Sequence, residues 1–160
     1  MIRKIKNFVR FTRTSVRKVL ENQSIICQQL VEVNSCGQLG TLINAGGYLP
    51  FNKASLNFST LAIISNDIII NNRKKILEFG SGISTVIFAR LLKLNAVEGS
   101  RIISVEHDQN WIEVVKRILV SEELTQYVKF FHAPLTNNRD TLENNNWYEI
   151  EELRNYLIDN

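Results

Sequence analysis

Two carboxylates and two glycines carry the chemistry this sequence has to offer. In the run ILEFGSGIST, residues 76–85, Glu78 stands two residues before Gly80, and Gly82 follows two residues after it. Glycines without a Cβ let the backbone turn tightly and let a ligand come within contact distance. Ser84 or Thr85 can cap a helix that starts after the loop. A second acid, Glu106, closes the run RIISVE, residues 101–106. At the end of a neighbouring strand it would lie beside the glycine loop, where a carboxylate can accept hydrogen bonds from both hydroxyls of a ribose. Hydrogen bonds to a charged group stabilise by about 1.5–3 kcal/mol each.

The sign of the charge narrows the ligand. A ribose belongs both to nicotinamide dinucleotides and to S-adenosylmethionine. The dinucleotide fingerprint calls for glycine or alanine at its third position, where this chain has Thr85. Glu78 would repel a pyrophosphate, whereas S-adenosylmethionine carries a sulfonium and an α-ammonium. At roughly 4–6 Å and an effective dielectric near 20, each such charge pair is worth a few kcal/mol before desolvation. The reading is therefore S-adenosylmethionine, with an NAD-binding oxidoreductase as the weaker alternative.

Alternating elements must position these groups. Strand-like runs occupy 74–79, 101–106 and 128–133. Between the first two, Val86, Ile87, Leu91 and Leu94 form one apolar helical face. Between the second and third, Trp111, Val114, Val115, Ile118 and Leu119 form a core-facing stripe. Asp108 or Asn110 can start that helix, and Asn110 with Glu113 fits a capping box. This rhythm predicts an α/β fold with a Rossmann-like parallel sheet of three strands in the order 3-2-1, flanked by helices. A further helix is expected from Ser55 to about Ile69, and GYLPF at 47–51 reads as extended because Pro50 disfavours helix at Leu49. The segment TNNRDTLENNN reads as a loop, followed by a helix from Trp147 or Glu149 to about Leu157.

The chain of 160 residues is 44% hydrophobic and 22% charged, the profile of a globular protein with one core. Its net charge of +3 is unevenly spread. Seven of the 19 bases, from Arg3 to Lys18, precede the first acid, Glu21, which leaves the remaining 140 residues with 12 bases and 16 acids. Ile2, Ile5, Val9, Val16 and Leu20 recur near helical spacing through the basic segment. Residues 1–45 thus read as a basic helical extension and 46–160 as the ligand-binding domain. Beyond that basic stretch nothing points to a nucleic acid or a membrane. No apolar run reaches the roughly 18–20 residues of a membrane span, and no signal-type block follows the N-terminus. Cys27 and Cys36 with two histidines make no metal-ligand spacing, so reduced thiols, a cytoplasmic location and no bound metal are expected.

Together ILEFGSGIST, IISVEHDQNW and VKFFHAPL resemble the first three motifs of class I S-adenosylmethionine-dependent methyltransferases. The likeness covers about residues 45–150 and includes GYLPF. It implies that Glu78, Gly80, Ser81 and Gly82 face the methionine part of the cofactor, that Glu106 takes the ribose hydroxyls, and that His107 borders the adenine. Ala133 and Pro134 would lie near the adenine edge. His132 is read as a strand residue rather than a base. The family's core has seven strands, and the sequence offers three. The expectation is therefore an incomplete core: a methyltransferase with unknown acceptor, or alternatively a truncated non-catalytic fragment or a half completed by a partner. The first strand would leave an apolar edge open to a second copy or a completing chain.

Overall fold

In the computed structural model the chain is described over residues 2–96, 99–137 and 146–159, with side chains from Phe11 to Ile158. Its centre is a three-stranded parallel sheet: β1 (Lys75–Phe79), β2 (Arg101–Glu106) and β3 (Val128–His132), in the order β1-β2-β3. The expected strand order is the observed one. The register aligns Ile76, Ile102 and Val128 on one face, and Leu77, Ile103 and Lys129 on the other.

Helices cover the first face. They are the short α2 (Gly40–Ile43), α3 (Phe58–Ile70), α4 (Ile83–Leu94) and α5 (Gln109–Ser121), while α1 (Ile2–Gln38) packs mainly on α3. Asn57 starts α3, its side chain accepting from the Thr60 N–H at 2.9 Å. Asp108 starts α5, accepting from the Asn110 and Trp111 N–H groups. The alternative box from Asn110 to Glu113 does not form, because Asn110 lies inside the helix and Glu113 accepts from Gln109 and Lys116. The α5 stripe packs as expected, with Ile112, Val115 and Leu119 fully buried.

The fourth helix departs from the expected single face. Every residue from Thr85 to Leu92 is buried, because α2 and α3 enclose the side away from the sheet, while Leu94, past the core, is 62% exposed. One of the enclosed residues is Arg90, whose guanidinium is satisfied on all sides. It binds both Glu122 carboxylate oxygens at 2.6 and 2.7 Å, and the carbonyls of Leu42, Ile43 and Gly47. Glu122 also accepts from the Gly47 N–H at 3.0 Å, and a Cβ on Gly46 would overlap its carboxyl group. The glycine pair is thus a seat for this ion pair.

The other face has a smaller core of Ile103, Val105, Phe131, Ala133 and Leu153. Its cover is α6 (Glu151–Asp159) and an antiparallel pair, β4 (Leu135–Asn137) with β5 (Asn146–Tyr148). The pair borders the expected asparagine-rich loop, of which residues 138–145 lie outside the described part. Helix α6 starts two to four residues later than expected and runs to Asp159, about two residues past the expected end. Among the described residues β1 has a strand neighbour on one side only, with Leu77 45% and Phe79 43% exposed. No helix among them is long and apolar enough to cross a membrane.

Candidate functional site

A cavity of about 430 Å³ opens at the carboxyl ends of β1 and β2. It is in the size range of small-molecule sites. Glu78, Gly80, Ser81, Gly82, Glu106 and His107 all line it. Ala133 does not: it is buried after β3, its N–H donating to the Glu106 carbonyl at 2.8 Å.

The turn after β1 is shaped by two glycines with different duties. Gly80 has φ +90°, a conformation that strains any residue with a Cβ. Gly82 is extended, and a Cβ there would meet no atom within 4 Å. The fold requires the first glycine, whereas at the second the missing side chain leaves room beside the cavity.

Glu78 gathers the hydroxyls of the loop. Its carboxylate accepts from Ser104 at 2.8 Å, from Ser84 at 3.0 Å and from Thr85 at short range. Thr85 in turn accepts from the Gly82 N–H at 2.9 Å, so it holds the helix start and the carboxylate at once. The Ser81 and Ser104 hydroxyls are 2.8 Å apart. Because Ser104 gives its single proton to Glu78, Ser81 must donate to Ser104. Burial pushes the Glu78 carboxyl above its ordinary range; the Thr85, Ser104 and Ser84 hydroxyls oppose this, and the charge of Glu106 adds to it.

Glu106 is 4% exposed and fixes the loop from the other side. One oxygen accepts from the Ser81 N–H at 2.8 Å. The other accepts from the His107 and Asp108 N–H groups at 2.8 and 3.0 Å, and stands 2.8 Å from His107 Nδ1. A carboxylate has about four lone-pair positions. The first oxygen therefore keeps one open, while the second is filled by the two backbone N–H groups.

Among the lining residues that the sequence does not point to, two have evident duties. Trp111, read as core, donates Nε1–H to the Ser81 carbonyl at 2.7 Å and clamps the loop. Tyr148, on β5, packs its ring 5.5 Å from Phe79 and 6.0 Å from His107. Burial and the Glu106 charge raise its phenol above the usual value, keeping it neutral. Trp111 was visible only as a stripe member, and Tyr148 depends on a strand pair with no periodicity of its own.

The electrostatic balance is one-sided. The described residues lining the cavity include Glu78, Glu106 and Asp108 but no lysine or arginine. Compared with known proteins, the chain matches no family model, no curated protein and no solved structure.

Proposed function

We propose that this protein binds S-adenosylmethionine as a Rossmann-like methyltransferase does, at the cavity above β1 and β2. The observation that carries the reading is the pair of carboxylates, Glu78 and Glu106, joined through Ser81 and Ser104 in a cavity without a lysine or arginine among its described lining. Two acids so placed disfavour a pyrophosphate and favour a cation with a diol. The residues fit the group. Glu106 keeps one acceptor position open for a ribose hydroxyl, and Glu78 and the bare loop at Gly80–Gly82 face the charged methionine end. His107 and Tyr148 offer ring surface to the base.

When bound, the cofactor supplies a methyl group on a positively charged sulfur. This chain's own contribution is binding and orientation: Ser81 and Gly82 fix the loop, and the carboxylates hold the charge. The methyl acceptor is unassigned. A second reading, in which a partner chain completes the sheet along β1, is favoured by the half-exposed Leu77 and Phe79 on that edge.

Isothermal titration of the full chain with S-adenosylmethionine tests the proposal. Binding is expected, with at least about tenfold loss in Glu106→Ala, since a hydrogen-bonded charged group is removed. Affinity unchanged in that variant, with its fold intact by circular dichroism, would overturn the ribose assignment.

A further inference from the structure

The first helix carries a seam whose apolar residues from Val16 to Val33 the rest of the fold leaves exposed. Over its 37 residues, positions spaced alternately three and four apart are Ile2, Ile5, Val9, Thr12, Val16, Val19, Gln23, Ile26, Leu30 and Val33. Eight of these ten are apolar. A strict seven-residue repeat of this kind matches a helical partner that supercoils with it, and drifts off any straight apolar support. The helix meets its own body along a different line: Ser35 and Leu39 are buried, and Glu32 accepts from the Ser59 N–H on α3. Along the seam, Val16, Val19, Ile26, Leu30 and Val33 are 54–71% exposed.

Charge and register identify the occupant. All seven bases of the helix lie at or before Lys18, and from Glu21 to Gln38 it carries two acids and no base. Parallel pairing of two copies would stack seven bases on seven; antiparallel pairing lays each basic half along the other's acidic half. In the antiparallel register that sets Val16 against Val19 of the second copy, Gln23 meets Thr12, Val9 meets Ile26, Ile5 meets Leu30 and Ile2 meets Val33. The two polar seam residues face each other, and apolar residues face apolar ones throughout. Near the two-fold centre, Arg17 is already paired with Glu21 of its own helix at 2.9 Å. We propose that α1 pairs with α1 of a second copy as an antiparallel coiled coil centred between Arg17 and Lys18. This inference stands apart from the ligand reading.

The test is sedimentation velocity of the full chain, with Ile26→Asp on the seam and Ile25→Asp as an equally exposed neighbour off it. A spin label on Cys27 in a Cys36→Ser background reports orientation. Residue 27 lies level with residue 8 of the second copy, an axial offset of about 28 Å at roughly 1.5 Å per residue. The expected result is a concentration-dependent dimer, at least about tenfold weaker in Ile26→Asp and retained in Ile25→Asp, with a label separation near 30 Å. A monomer at all concentrations, equal effects of the two variants, or a label separation below about 20 Å would overturn it. So would binding to phosphatidylserine vesicles by a chain that stays monomeric.

Discussion

Glu78 pits stability against binding within a single side chain. Its carboxyl is raised by burial, so folded protein holds that proton more tightly than unfolded chain does. The contribution to stability is full below the unfolded value, near 4.5, and is lost as pH rises through the folded value. A cationic ligand favours the ionised form, so binding should strengthen as pH rises. Calorimetric titration at a series of pH values measures that rise. Glu78→Gln should melt higher than the parent at pH 7 yet bind at least about tenfold more weakly. The two loop glycines separate fold from site in the same way. Gly80→Ala should cost about 1–2 kcal/mol in urea denaturation because its φ is positive. Gly82→Ala should unfold like the parent and still lose ligand, because its new methyl meets only the space beside the cavity. The places of Glu78, Gly80 and Glu106 at the cavity could be read from spacing, since each is set by its position at a strand end. The Trp111 clamp could not, because the same spacing serves a core residue equally well.

Elements built from strong periodicity appear within a residue or two of where the sequence puts them: β1, β2, β3, α4 and α5. Those held by tertiary context do not announce themselves. The β4–β5 pair has three residues a side and borders an asparagine-rich stretch, too short for alternation to show. The enclosure of α4 depends on α2, four residues long and tied down by Arg90. Arg90→Leu should destabilise by about 3–5 kcal/mol, as it leaves Glu122 and three carbonyls without their donor. The pair also sets a pH dependence. Arg90 holds the Glu122 carboxyl below its ordinary range, so that stability is present above the unfolded value and is lost as pH falls through the folded one. Urea denaturation at pH 7 and pH 4 should show this acid loss in the parent and its near absence in Arg90→Leu.

At the scale of the whole molecule the sheet is asymmetric. One face lies under the four helices α2 to α5, while the other has α6 and a small strand pair, and among the described residues β1 is left at the edge. Such an edge associates unless it is covered or charged. Leu77→Lys should therefore reduce light scattering on heating by about half or more without lowering the urea midpoint, because Leu77 is already 45% exposed. The same asymmetry exposes the cavity at the carboxyl ends of β1 and β2, where Tyr148 forms part of its wall.

The account rests on a cavity that prefers a positively charged nucleoside over a negatively charged one. Parallel calorimetric titrations of the full chain with S-adenosylmethionine and with NAD test this most directly. The account predicts saturable binding of the first and at least about a hundredfold weaker binding of the second, a difference of about 2.7 kcal/mol. Equal affinity for both, or binding of NAD alone, would contradict it.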